Sequence, residues 1–497
     1  QQRPQGHPAK SKFLATENYF HMKYRLTILL LISLLINPLG FGETPKELTE
    51  RLTKLEQENK EIKKQIAQLS RNYNPESGTH RSSHNIDKYL RLNSKYSYEM
   101  LDSTTRINRK QQLILEKKKS GELPENSLIV GGAVTAIADY QHSNTTSKFG
   151  YLMRHPTSNN QVTKNVSEAL VHSAQFSFTG NLGPWVTAYS EILYDPEQSF
   201  GPGTNTALSR NQLQMRRAYV LFGNLEKTPY YLSLGKMATP FGLTDTVNPF
   251  TASTVWHAFG GLAYGTQIGY MKNGLNVTLM GIQGGAQFRA NNTPVDGTNV
   301  PSKLNNYAVD VNYTFHFGGG DDSLLLGASY ERGSAYNQEF PVTHFAAGKE
   351  ANPAFDIYSQ LKMKNFLVHA EYAQTLDEWP GTFNPDIPQF AAHKVSSWNL
   401  GVKYTTTIKN RKVDLSLDFS RFVAGPGGSP WENQDQYVLG ASTFLTPSVK
   451  VFMEYIHTDG YAPLNFISGG NFEDGSVTHS DNNASSNIFL LGVNAAF

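Results

Sequence analysis

Ten ionisable side chains stand at alternate positions of apolar-rich runs: Asp310, Asp356, Lys362, Glu371, Lys403, Lys412, Asp414, Asp418, Lys450 and Glu454. Alternate residues of an extended chain face the same side, so these groups would line one wall. Mixed signs suit a wide passage for a polar, polydentate solute, because a channel for ions of one sign presents rings of the opposite charge. The alternative for each is a solvated wall residue paired with a neighbour. A second group lies in residues 238–263, which contain no Lys or Arg and one Asp, but also Phe241, Leu243, Val247, Phe250, Val255, Trp256 and Phe259. So apolar a loop makes a poor water-facing surface. Folded inward it would narrow a lumen, with Asp245, Trp256 and His257 at the constriction; otherwise it would pack on a rim or a subunit contact.

Catalytic patterns are not found. The 14 histidines form no H-E-x-x-H helix, and the sequence has neither a G-x-S-x-G elbow nor a Walker loop. With no cysteine there is no disulfide framework, thiolate metal site or thiol nucleophile. The expectation is therefore no enzyme, no cofactor and no metal. The 44 basic and 42 acidic side chains leave a charge of +2, which gives no field for nucleic acid. A mean hydropathy of −0.42 is too polar for a multi-span helical membrane protein.

The elements that would position these residues change along the 497-residue chain. Residues 1–21 fit no targeting pattern and read as outside the mature protein. At 22–42, Lys23 and Arg25 precede an apolar run and small residues, the layout of a secretory signal peptide cleaved after Gly42. Within 43–70, Leu48, Leu52, Leu55, Asn59, Ile62, Ile66 and Leu69 are spaced 4, 3, 4, 3, 4, 3. That is a coiled-coil seam with Asn59 at a register-fixing position, which predicts a homo-oligomer, possibly a trimer. Residues 71–127 are polar and irregular apart from a helix expected near 107–119. They read as a tether, too short for the folded plug of a TonB-dependent receptor.

From 128 to 497 the period becomes two, as in Val413, Leu415, Leu417 and Phe419 against Lys412, Asp414, Ser416 and Asp418. About sixteen segments long enough to cross a bilayer at a tilt are separated by strictly alternating short and long connections. Asn273-Gly274 suits a type I′ hairpin. Tyr230, Tyr231, Trp398, Tyr437 and Trp185 fall near strand ends, where aromatics form interfacial girdles. The final Phe489, Leu491, Val493, Ala495 and Phe497 share one face, and Phe497 resembles the terminal signal read by the outer-membrane assembly machinery. The expected fold is an all-β transmembrane barrel of about 16 antiparallel strands, preceded by a short coiled-coil helix. It would sit among outer-membrane lipid, with its N-terminus in the periplasm.

The order of parts resembles the LbtU-type siderophore porins of Gram-negative bacteria: signal, short coiled coil, LIVGGAVTAIADYQ at 128–141, GKMATPFG at 235–242, Asn248-Pro249-Phe250 and the terminal phenylalanine. GKMATPFG also resembles segments of other substrate-selective porins. The resemblance implies a sixteen-stranded barrel importing a ferric siderophore, without TonB coupling, and a periplasmic coiled coil; it implies no residue list. The alternatives are a general porin, a porin selective for sugars, peptides or anions, and an adhesin displayed on its loops.

Overall fold

A computed structural model describes residues 90–146, 148–150, 163–195, 211–284, 303–318, 321–336, 351–379, 392–462 and 480–497. The signal peptide and the heptad seam expected at 22–70 lie outside the described residues. A two-residue strand, β1 (Leu90–Arg91), precedes two helices, α1 (Ser94–Leu101) and α2 (Lys110–Lys119). Sixteen long strands follow: β2 (Ser127–Ser143), β3 (Asn165–Leu182), β4 (Val186–Tyr194), β5 (Leu213–Gly223), β6 (Tyr230–Ala238), β7 (Leu262–Lys272), β8 (Leu275–Ile282), β9 (Asn306–His316), β10 (Ser323–Glu331), β11 (Ala354–Met363), β12 (Phe366–Thr375), β13 (Ser396–Ile408), β14 (Arg411–Val423), β15 (Asn433–Thr446), β16 (Val449–Tyr461) and β17 (Asp481–Ala496). A third helix, α3 (Thr254–Phe259), lies in the connection between β6 and β7, the third long loop. Each of the sixteen pairs antiparallel with its sequence neighbours, and β17 pairs with β2, so the sheet closes on itself and leaves no edge.

Period-two patterning puts opposite chemistries on the two faces. Leu417 is 62% exposed while the adjacent Asp418 is 1% exposed. The greasy face is therefore outside and the wet face inside, the reverse of a soluble domain and the arrangement a lipid-embedded barrel requires. Aromatic pairs mark the two edges of the apolar band. Phe366–Tyr404 and Tyr230–Tyr270 lie towards the short turns, and Trp398–Phe419 towards the long loops. Tyr231 departs from the expected girdle, because it is the inward partner of Tyr230 and is buried. Asn273 and Gly274 both have positive φ, 52° and 83°, as a type I′ turn demands.

Part of the segment expected as a tether packs inside the barrel. Residues 94–119 fold into the barrel as a helical hairpin that enters and leaves at the short-turn rim, where β1 pairs in parallel with the start of β2. Asn93 caps α1 by accepting from Tyr96 N at 3.0 Å. Lys117 joins the hairpin's two arms by pairing with Glu99 at 2.9 Å and with Glu122 at 2.8 Å. Tyr96, Met100, Leu113, Ile114 and Leu115 pack in one cluster with Tyr189, Tyr219, Leu221 and Tyr231 of the inner wall. The sequence KQQLILEKKK is too polar to look like a core element, but the inside of this barrel is polar. Tyr96 OH bonds Thr179 at 3.0 Å and Gln111 donates to Gln267 at 3.0 Å.

Candidate pore constriction

The third long loop, residues 239–261, crosses the interior from β6 and β7 to the far wall. Its apolar content explains the route, since nearly every side chain along it is buried. Far-wall carboxylates hold its backbone. Glu371 on β12 accepts from Leu243 N at 2.7 Å and Thr244 N at 2.9 Å, and Glu454 on β16 accepts from Phe250 N at 2.8 Å and Thr251 N at 3.0 Å. Lys450 donates to Pro249 O at 2.8 Å, Gln436 donates to Ala252 O at 2.9 Å, and Ser420 Oγ accepts from Thr254 N at 3.1 Å. Two glycines make the close approach possible. Gly242 has φ +69°, and a Cβ there would lie 2.5 Å from Glu371 Oε1; a Cβ on Gly440 of the wall would lie 2.6 Å from Pro249 Cδ.

The hairpin tip meets this loop from the short-turn side, and Asp245 is the junction. Its Oδ1 accepts from Ile107 N at 3.0 Å and its Oδ2 pairs with Arg109 at 3.1 Å. Thr246 N donates to Thr104 O at 2.9 Å, and Asn108 donates to the carbonyls of Phe241 and Gly242 at 2.8 and 3.1 Å. Beneath the junction, Lys110 is buried with its ammonium on the carbonyls of Glu99, Asp102 and Thr105 at 2.7, 3.0 and 3.1 Å. Burial pushes Lys110 down to about 8, against the nearby Asp102 charge. Burial alone would raise the Asp102 carboxyl, but the Lys450 and Lys110 ammonium groups and the hydroxyls of Thr104 and Thr105 hold it below its usual range.

Between loop, hairpin and near wall lies a small cavity of about 20 Å³, lined among others by Asn108, Gln214, Arg216, Arg217, Lys236 and Trp256. That holds about one water molecule. Trp256 lines this cavity. His257 does not line it; burial pushes this histidine down to about 3, so it is neutral and adds no charge to the passage.

The expected wall residues divide four ways. Glu371, Glu454 and Lys450 anchor the loop, as above. Asp310 accepts from Ser329, Tyr358 and Asn312, Asp418 accepts from Asn399 at 2.7 Å, and Asp356 is buried beside Gly242. Asp414, half-buried, accepts from Thr405 at 2.6 Å, and Lys403 is half-buried as well. Lys362 and Lys412 are exposed near the short-turn ends of their strands. The sequence did not single out Glu191, Arg216 and Arg217. A bulge at Arg216 sets Glu191 opposite Arg217, so both arginines reach it, at 3.7 and 2.8 Å. Strict alternation hides such a pair; the signal was two adjacent arginines in mid-strand.

The geometry is that of a closed sixteen-stranded transmembrane barrel with an inward third loop. No protein-family model matches the chain. A UPF0422 protein of Coxiella burnetii (strain RSA 493 / Nine Mile phase I) is 25% identical over 310 residues, which are 60% of this chain; the chain spans 60% of that protein's length. Among solved structures, the anion-selective porin from Comamonas acidovorans has a TM-score of 0.47 at 14% identity, covering 75% of this chain and 99% of that one. Pseudomonas putida OprB has a TM-score of 0.46 at 10% identity, covering 74% and 94%. The outer-membrane protein OmpT of Vibrio cholerae has a TM-score of 0.42 at 10% identity, covering 74% and 97%.

Proposed function

We propose that the protein is an outer-membrane porin-like transporter for a selected solute, with the third loop forming the constriction and the helical hairpin closing it. The observation that carries this is the double closure. The loop crosses the whole lumen on a set of buried hydrogen bonds, and the hairpin tip docks on the loop's underside through Asp245. An inward loop alone would also suit a general pore; the hairpin docked on the loop's underside is what favours a gated passage for a selected solute. The resemblance noted in the sequence supports a ferric siderophore as the solute, and the heptad seam at 43–70 supports association of several copies.

The test is uptake of radioiron-loaded siderophore by iron-limited cells with and without the protein, with a sugar of similar size as control. Loss of iron uptake with sugar entry unchanged is the expected result. Equal loss of both would make the protein a general pore. No loss of either would remove the transport reading and move attention to attachment by the long loops.

A further inference from the structure

On the short-turn side of the closure lies a recess of about 580 Å³ between α2 and the inner wall of β8 and β9, floored by the turn at Asn273 and Gly274. Five basic side chains line it: Arg106 and Arg109 from the hairpin region, Lys119 from the end of α2, Lys227 from a short turn and Lys272 from the end of β7. The acidic side chains in the lining are Glu116 and Glu226. Arg106 pairs with Glu116, and Arg109 with Asp245 of the third loop. Asn276 adds an amide donor. The chain as a whole carries only +2, so this surplus of positive charge is local. A concave, water-filled space with converging Arg and Lys side chains recognises carboxylate or phosphate groups, since each such contact is a charge-assisted hydrogen bond.

We propose that this recess binds a multiply charged small anion, bearing several carboxylate or phosphate groups, and that the bound anion competes with Asp245 for Arg109. Arg109 is the one side chain that both lines the recess and holds the loop. An anion seated against it offers the guanidinium a second carboxylate-like partner. The Arg109–Asp245 pair then weakens, and with it the hairpin's hold on the underside of the constriction. Occupancy and closure are thereby coupled, and by reciprocity a hairpin already detached from Asp245 binds the anion more tightly. The inference rests on the transport reading for the route by which such an anion arrives, and it narrows the solute class to anions.

The experiment is calorimetric titration of the purified full chain in detergent with citrate and, separately, with inorganic pyrophosphate, and with raffinose as a neutral control. Binding of either anion, weakened by added salt and absent with raffinose, is expected. The double variant Lys227→Gln/Lys272→Gln touches one turn residue and the last residue of β7 and should lose affinity on the order of tenfold. Asp245→Asn, which removes the competitor for Arg109, should gain affinity several-fold. A preference between citrate and pyrophosphate tells carboxylate from phosphate recognition. No binding of either anion, or unchanged affinity in the double variant, overturns the site; unchanged affinity in Asp245→Asn overturns the competition. Planar-bilayer conductance of the same preparations separates the two proposals. Anion binding by a protein that never conducts, even with the hairpin deleted, would defeat the pore reading alone, and conduction without anion binding would defeat the recess alone.

Discussion

Glu371 and Glu454 face the lumen, but their carboxylates are spent on backbone N–H groups of the third loop and not on a passing solute. Replacing Glu371 with Ala leaves two buried donors unmet. It should cost about 1–3 kcal/mol per orphaned group, measured as a lower denaturant midpoint together with faster proteolysis of the loop. Lys362→Ala, at an exposed position, should change the midpoint by no more than about 0.5 kcal/mol. Lys110 sets a pH dependence of the hairpin. Its proton is lost near pH 8 when docked, against 10.5 when free. Between those values the released segment binds more protons than the docked one, so docking strengthens as pH rises from 8 to 10.5, by up to about 3 kcal/mol. The charges around it are Asp102, Asp245 and Glu191, which favour the ammonium, and Arg217, which opposes it. Protease resistance of the hairpin should increase over that range and the slope should vanish in Lys110→Met; a flat wild-type profile would contradict this account. Alternation in the sequence gave the side of the wall on which these carboxylates lie. It could not give their partners, because the loop that reaches them is more than a hundred positions away in the chain.

Sequence patterning placed a helix near 107–119, where α2 lies, but missed α1 and the packing of the pair inside the barrel, and the reason is chemical. Burial is ordinarily read from apolar stripes, but a segment packed inside a polar barrel wall is matched by polar side chains. Gln111, Gln112 and Lys118 are therefore contact residues, bonded to Gln267, Tyr231 and Thr187. The third loop was legible for the opposite reason, since a long connection without a basic residue and with so many aromatics had to find cover. Replacing residues 94–119 with a short flexible linker should leave the barrel folded and raise single-channel conductance from near zero to a steady open level. A deletion variant that stays closed would assign the closure to the third loop alone.

For the barrel as a unit, the decisive property is its inverted burial, Leu417 outward beside Asp418 inward. Leu417→Arg would put a charge into lipid and should destabilise the folded barrel by about 2–4 kcal/mol if the position lies at mid-bilayer, measured by reversible unfolding in vesicles. The sixteen strands, their short turns and their long loops were readable because lipid outside and water inside impose a two-residue period on every crossing. The closing of β17 onto β2 followed from the need to leave no edge in lipid. The position of β1 has a bearing on biogenesis. Because Leu90–Arg91 and the first residues of β2 lie side by side at one rim, the hairpin is a loop dipped into the barrel and not a strand threaded through it. It can be inserted after the β2–β17 seam has zipped, or withdrawn later, without any rung of the ladder being broken. Seam closure and stoppering are then separable kinetic steps, and a cell could in principle hold finished cylinders that have yet to be corked.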